Sequence, residues 1–417
     1  MKRFSLFLLM TCALSFNACA QWYLFPGKKK TQTGEERKDS TVTIPDSGRR
    51  PGGGIEVTEN GDTLHVDWFG GPEPEDIYEL DMPSTIHIGL VLPLQASGKA
   101  SENFFDMYSG ALLALRDLGQ AGLKADLQVL DSADGKTGVS QTLIDDCDVI
   151  LGPVGFDDLK NALSLCGRNK VLVSPLEPKA AELAEGRHLI QAPTPWTAQI
   201  DELLRWVQED LGIGEEVYVL RDTTAAGAGE QAAYMVRRLQ ETSVRYKSVL
   251  ATRDIPFRKD RKARVLIASD RENFITSAVR SLSIEGARNS DVILYGTTRV
   301  RTNGTGPADL HNIQAHLTAA YFIDYEDPDV KRFILEYRAL FNNEPGSFSF
   351  QGYDAMRYFV SACAKYGRQW HKKLPEYAAK GLQSDFLFKK EAANGHINQA
   401  VRRIVYNTDL TTDRMVY

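Results

Sequence analysis

Short apolar runs alternate with amphipathic stretches along this chain, once over 86–200 and again over 217–300. Ile86-His87-Ile88-Gly89-Leu90-Val91-Leu92 has an apolar majority and reads as a buried strand. Behind Pro93-Leu94 and a Ser/Gly/Lys loop, Phe105, Tyr108, Leu112 and Leu115 fall on one face of a helix. Leu127 to Leu130, Val149-Ile150-Leu151, Val171-Leu172-Val173 and Leu189-Ile190 supply further strands, with helical segments between most of them. From Thr197, Ile200, Leu203, Leu204 and Val207 mark a helix that leads into the second set. Its strands are Val217 to Leu220, Val265 to Ala268 and Val292 to Tyr295. The pattern over 271–283 predicts a helix with Phe274, Ile275, Ala278, Val279 and Leu282 inward and Asp270 as its N-cap. Alternation of this kind predicts an α/β protein of two doubly wound parallel-sheet lobes around a central cleft.

The start of the chain has a different pattern. Met1-Lys2-Arg3 is basic, and Phe4 to Ala18 is an apolar run too short to span a bilayer. It reads as a secretory signal over 1–19. Phe16-Asn17-Ala18-Cys19 resembles a bacterial lipoprotein box, in which Cys19 would be acylated and tie the chain to a membrane. The open alternative is an ordinary signal-peptidase site near Ala18 or Ala20, with Cys19 incidental. By resemblance to lipoprotein sorting, Ala20 after the cysteine favours the periplasmic face of the outer membrane. Residues 20–83 are polar, charged and rich in turn formers, as in Gly48-Arg49-Arg50-Pro51-Gly52-Gly53-Gly54, and read as a flexible tether. Within it, alternation around Asn60-Gly61 predicts a β-hairpin over 55–68.

Ligands of wound sheets bind at the carboxyl ends of the strands, where loops and helix N-termini converge. In the first lobe those loops place Gln95, Gly152, Gly155 and Ser174 as candidate ligand contacts. In the second they place Arg221, Asp222, Thr223, Ser269 and Thr297, and Tyr325 joins the set at a crossing between lobes. Each residue type also suits any tight strand–helix turn. Their weight comes from two lobes aiming them at one crevice.

Several stretches resemble the type I periplasmic binding proteins of the leucine/isoleucine/valine-binding kind. Ile88-Gly89-Leu90-Val91-Leu92-Pro93-Leu94 is similar to that family's first strand, Leu151-Gly152-Pro153-Val154 to its third, and Val171-Leu172-Val173-Ser174-Pro175 to its fourth. Tyr321-Phe322-Ile323-Asp324-Tyr325, with Phe333, Tyr337, Phe341 and Glu344-Pro345 after it, is similar to the late strand–helix pair. Gly352-Tyr353-Asp354-Ala355-Met356-Arg357-Tyr358 is the best match. The resemblance implies one lobe from 84–198 plus 328–382 and another from 199–327 plus 383–417, with hinge crossings near Thr197, Tyr325 and Gly381. It implies capture of a small polar ligand (amino acid, peptide or cell-wall fragment), with an ABC permease as partner. Family members that bind amino acids carry hydroxyls where this chain has Gly155-Phe156 and Leu176-Glu177-Pro178-Lys179. The same fold serves outer-membrane lipoproteins that activate a penicillin-binding protein, and that is the alternative reading.

Other classes find less support. The chain has no G-x-S-x-G elbow, P-loop or H-E-x-x-H, so no enzyme is expected. The seven histidines lack metal-ligand spacing, with His311 and His316 off the i, i+4 step, so neither metal nor cofactor is expected. A net charge of −6 without a basic stripe argues against nucleic acid. Cys147 and Cys166 belong to one edge of the sheet, which allows a disulfide; two separate buried thiols remain the alternative.

Overall fold

The computed structural model describes residues 81–415, apart from short stretches at 96–98, 133–138, 168, 184–187, 225–228, 259, 289–290 and 393–394, and the backbone of 55–59 and 62–66. The expected secretory signal, Cys19 and most of the expected tether lie outside the described residues. The hairpin expected at 55–68 forms: β1 (Ile55–Glu59) and β2 (Asp62–Val66) run antiparallel, with Ile55 opposite Val66 and Glu59 opposite Asp62. Among the described residues no helix is long and apolar enough to cross a membrane.

In residues 81–417, β3 (Ile86–Leu92), β4 (Ala125–Asp131), β5 (Val149–Leu151), β6 (Leu172–Ser174) and β7 (Leu189–Gln191) alternate with α1 (Glu102–Gln120), α2 (Gln141–Asp146), α3 (Phe156–Leu163) and α4 (Ala180–Leu183). The helix α5 (Trp196–Asp210) opens a second run of β8 (Val217–Arg221), α6 (Glu230–Glu241), β9 (Tyr246–Val249), β10 (Ala263–Ala268), α7 (Glu272–Ala287), β11 (Val292–Thr297), α8 (Pro307–Asn312) and β12 (His316–Ala319). Next come α9 (Pro328–Phe341), α10 (Ser347–Tyr366), a small ribbon of β13 (Ala379–Lys380) and β14 (Asp385–Phe386), β15 (Phe388–Ala392), β16 (Gly395–Asn398), β17 (Arg402–Tyr406) and β18 (Thr412–Met415). Two seven-stranded sheets result, ordered β15-β16-β7-β6-β5-β3-β4 and β18-β17-β12-β11-β10-β8-β9. Both are parallel except at one edge, where β15 pairs antiparallel to β16 and where β17 runs antiparallel to β12 and to its outer neighbour β18. The α/β fold of two wound lobes is the one the strand–helix alternation predicts.

Four details depart from expectation. Residues 388–398 belong to the first sheet, because His396 and Ile397 of β16 pair with Ile190 and Gln191 of β7. The chain therefore passes to the second sheet at 399–401, and Gly381 is not a crossing. The late strand is β12 at His316–Ala319, ahead of Tyr321–Tyr325, which has no strand pairing. β9 was not foreseen; it is an edge strand with only Val249 buried, so it carries little apolar signal. Asp270 does not cap α7, which starts after Arg271 with no side-chain cap.

The inward face of α1 also differs. Met107, Gly110, Ala111, Leu113 and Ala114 are buried, while Phe105 is exposed and Tyr108 and Leu115 are only partly covered. The cause is the closeness of α10. A Cβ on Gly110 would lie 1.9 Å from the Ser349 carbonyl oxygen, and one on Gly352 would lie 2.0 Å from that of Met107. Two helix backbones touch here through glycine, and a seam of small residues does not show in a periodicity of large apolar ones.

Cys147 and Cys166 are separate free thiols, so the disulfide the sequence allowed is absent. Cys147 packs in the apolar cluster with Leu143, while the Cys166 thiol turns back to the Ala162 carbonyl at 3.8 Å. Burial pushes both thiols up to about 11, with Lys170 opposing, so both stay protonated at neutral pH.

Three segments connect the lobes: 192–195 from β7 to α5, 320–327 from β12 to α9, and 399–401 from β16 to β17. The first two leave from carboxyl ends of parallel strands. The third leaves the carboxyl end of β16, and it arrives at Arg402, which sits opposite Ala319 at the carboxyl end of β12. Both carboxyl edges therefore border the connections.

Two predictions concern stability. Gly352→Ala forces α1 and α10 apart and should cost about 2 kcal/mol or more, read as a lower urea midpoint; an unchanged midpoint would show that the helices yield freely. His371 is 1 % exposed, and burial, then Lys372, His396 and His188, lower its pKa from 6.5 to about 4. A depressed histidine stabilises the fold in its neutral form, fully above pH 6.5, and the gain is lost as pH falls from 6.5 towards 4. The lost stabilisation is about 3 kcal/mol. Replacing His371 by Phe should flatten the pH dependence of unfolding in that window.

Candidate functional site

The carboxyl edge of the first sheet is apolar and tightly turned. Gly152 has φ +104, and a Cβ there would meet the Val91 carbonyl oxygen at 2.2 Å, so the turn after β5 requires glycine. Gly155 is the N-cap of α3 and offers no side-chain cap. The exposed ring of Phe156 follows it. Ser174 ends β6 fully buried, and its hydroxyl has no hydrogen-bond partner. Gln95 is exposed, with Leu94 N–H donating to the Asp131 carboxylate at 2.9 Å and Gln95 N–H reaching it at 3.4 Å. No charged side chain lies in the turns 93–95 and 152–155, and Leu176 packs partly against the core.

The carboxyl edge of the second sheet is the opposite in character. Asp222, just past β8, is buried and accepts hydrogen bonds from Ser269 Oγ at 2.9 Å, Arg271 Nε at 2.6 Å and both the amide and hydroxyl of Thr224. Burial pushes this carboxyl up, but those donors, led by Arg271, outweigh it and hold it far below the ordinary range. Asp270 accepts from the amides of Gln231 and Ala232 at 3.1 Å each, and from both terminal nitrogens of Arg299 through its carboxylate and carbonyl. A carboxylate from the neighbouring loop thus fills the first turn of α6, where the chain's own cap is Gly229 and offers no acceptor. A Cβ at 229 would meet that carboxylate at 2.0 Å. Thr297 is buried and caps the single 3-10 turn that carries Arg299. Arg221, Thr223 and Tyr325 are exposed, the last at 60 %.

The sequence candidates thus fall into three groups. Asp222 and Ser269 share one polar network on the second lobe, while Thr297 caps the turn whose Arg299 pairs with Asp270; Gly152, Gly155 and Ser174 shape turns on the first; Gln95, Arg221, Thr223 and Tyr325 stand in solvent. Sequence reasoning missed the residues that bind the lobes together. Arg402 at the start of β17 is 2 % exposed, and all its nitrogens are engaged. It makes a paired contact with Asp385 at 2.6 and 3.0 Å, and it donates to the carbonyls of Gly381 at 2.7 Å, Leu382 at 3.1 Å and Phe322. Behind it, the Asp354 carboxylate accepts the amides of Leu382, Gln383 and Ser384 at 2.7 to 2.9 Å. Burial pushes that carboxyl up to about 6, against those three donors and Arg402. Thr194 Oγ1 donates to the Ala400 carbonyl at 2.7 Å and Asn398 Nδ2 to that of Ala192 at 3.0 Å, joining the outer two connections. The signal in the sequence is Arg402-Arg403 opening an otherwise apolar strand, a pair of charges where burial is expected.

Two wound α/β lobes are the arrangement that comparison with known proteins also finds. A family model described as periplasmic binding protein matches residues 85–402. The chain belongs to that family. No curated protein matches it. Among solved structures, a putative branched-chain amino acid ABC transporter protein from Rhodospirillum rubrum is 17% identical with a TM-score of 0.53, covering 80% of this chain and 100% of its own. An ABC transporter substrate-binding protein from Desulfitobacterium hafniense in complex with Leu is 16% identical, TM-score 0.42, over 79% and 100%. A solute binding protein of an ABC transporter from Rhodopseudomonas palustris in complex with 3,4-dihydroxy benzoic acid is 15% identical, TM-score 0.45, over 80% and 99%. Identities this low speak to the fold alone. Membership of the family implies an extracytoplasmic protein.

One cavity of about 160 Å³ lies at the other edge of the first sheet, away from where a periplasmic binding protein forms its cleft. It is lined by Asp81, Cys147, Asp148, Lys170, Arg368 and Trp370, among others. Arg368 is consumed by Asp81 and Asp148, and Lys170 donates to the carbonyls of Asp145 and Cys147. Its charges serve each other, and we assign it no ligand. The carboxyl edges that border the connections between the lobes are the site of interest.

The Asp222 network yields a prediction. Asp222→Asn should lower stability by about 2 kcal/mol at pH 7 by stranding donors built for a carboxylate. An acid held below its ordinary pKa of 3.8 stabilises above that value and loses the effect as pH falls through its folded pKa. The gap between Asp222→Asn and the parent should therefore narrow on acidification towards pH 3, as read by urea unfolding; a gap independent of pH would refute an ionised Asp222.

Proposed function

We propose that this chain is an extracytoplasmic, lipid-anchored solute-binding protein that captures a small ligand between its hinged lobes for an ABC-type permease. The observation that carries the reading is the convergence of the lobe connections, tied by Arg402, on the carboxyl edges of both parallel sheets. That is where wound sheets take their ligands. The turns bearing Gln95, Gly152, Gly155 and Ser174 would supply one wall. Those bearing Arg221, Asp222, Thr223, Ser269 and Thr297 would supply the other, with Tyr325 at the connection. Cys19 would carry the lipid, and Ala20 favours the outer membrane.

A second reading rests on a specific observation. Asp270 already occupies the first turn of α6, and Asp222 is already saturated by Arg271, Ser269 and Thr224. A second lobe whose polar groups satisfy each other suits a lipoprotein that binds and activates a peptidoglycan synthase through its surface and leaves the cleft unused.

A thermal-shift screen against free amino acids, short peptides and muropeptides separates the two. A ligand at a hundred times its dissociation constant should add about 2.7 kcal/mol of stability, read as a rise in Tm. A hit that is lost in Asp222→Asn would support capture. An unmoved Tm across the panel, together with co-purification of a penicillin-binding protein, would replace it with the second reading.

A further inference from the structure

A chain of buried polar contacts runs from the hinge to the turn after β6. The segment 381–385 accepts Arg402 through Gly381, Leu382 and Asp385, while Asp354 holds its amides from behind. From that same segment, Gln383 Nε2 and Ser384 Oγ both donate to Gln351 Oε1, at 3.1 and 3.2 Å. Gln351, 8 % exposed on α10, spends its own amide on the Pro175 carbonyl at 3.1 Å. Ser347 Oγ completes the set by donating to Gln383 Oε1 at 2.9 Å. The Pro175 turn carries Ser174 and Leu176, at the first lobe's cleft edge.

We propose that Gln351 is a positioning residue that couples the angle between the lobes to the Ser174-Pro175-Leu176 turn. Arg402 belongs to the second sheet, and its acceptors at 381–385 belong to the first lobe. Rotation of one lobe against the other must therefore work on 381–385 first. The far side of that segment is gripped by Gln351, whose acceptor and donor functions are both in use. An amide engaged at both ends transmits displacement instead of absorbing it, because releasing either end strands a buried polar group. The turn is left with no competing tether through its own side chain, since the Ser174 hydroxyl is buried without a partner. Opening and closing would then reset one wall of the cleft, which gives the site a different shape in each state. The proposal deepens the solute-capture reading and rests on it for its purpose, though not for its test.

The test is amide hydrogen exchange on the full chain without ligand. Arg402→Lys keeps the charge and loses the fork that spans Asp385 and the carbonyls. It should speed exchange about tenfold across 381–386 and also across 172–183, while 149–151 in the same sheet stays unchanged. Gln351→Met should speed 172–183 alone, and the double variant should exchange there no faster than Gln351→Met. If Arg402→Lys does not fold, Asp385→Asn cuts the same fork from the other side and should give the same pattern. Exchange confined to 320–327 and 381–386 in Arg402→Lys, or additive effects at 172–183, would overturn the coupling. Because no ligand is present, a failed ligand screen leaves this result standing, and a failed exchange result leaves the capture reading standing.

Discussion

Everything about how the two lobes relate depends on one buried guanidinium. Arg402 is the first residue of a strand in the second sheet, yet its hydrogen-bond acceptors lie on one connecting segment, at Phe322, and on the first lobe, at 381–385. A buried arginine is costly unless every N–H is met, and here a carboxylate and three carbonyls meet them. Removing Asp385 leaves the charge uncompensated and displacing a carbonyl strands a buried N–H, so the geometry is fixed more tightly than apolar packing alone would fix it. The neighbouring residue shows the complementary use of the same chemistry. Arg403, on the opposite face of β17, pairs with Glu202 and Glu209 of α5 and stacks over Trp206. One arginine ties the second lobe to itself, and the next ties it across the hinge.

The wound architecture was legible because it rests on burial. Strands such as Ile86–Leu92 and Val292–Thr297 are apolar on both faces, as parallel strands covered by helices must be. α5 and α7 bury the residues their periodicity names, except Phe274, which is only partly covered. What periodicity could not reach was geometry set by close approach or by sequence-distant partners. The α1–α10 contact uses Gly110, Ala111 and Gly352, which register weakly on any hydrophobic scale. The edge strand β9 hides one residue, and β15–β16 joined the first sheet through pairing with β7, a choice that only three-dimensional register reveals.

Part of the candidate site was legible for a related reason. Glycine and proline at strand ends mark turns, and Gly152 has a backbone that only glycine adopts without strain. The roles of the charged residues were not legible. Asp270 in sequence sits before a helix and reads as its cap, but the helix it serves is α6, about forty residues earlier. A carboxylate finds the nearest unsatisfied amides in space, and sequence proximity gives no guide to which those are. Asp354 was visible as part of a family-like motif, while its partners at 382–384 were not.

The two cleft edges differ in a way that constrains any ligand. On the first lobe the turns present Leu94, Val154, Phe156 and Leu176 with few polar side chains. On the second, the carboxylates of Asp222 and Asp270 and the guanidiniums of Arg271 and Arg299 are already paired with each other. A free α-amino acid would need acceptors for its ammonium and donors for its carboxylate; Asp222 could accept the ammonium only by giving up Arg271, Ser269 or Thr224, and Asp270 already serves Arg299 and two helix amides. Each such exchange costs a charge-assisted bond of roughly 2 kcal/mol. A ligand that buries an apolar body against the first lobe avoids that cost, because its binding then draws on area removed from water, about 25 cal/mol per Å². Arg221, exposed at the end of β8, remains open to an acidic group. For the solute capture proposed above, the arrangement would favour a solute with more apolar surface than a free amino acid offers.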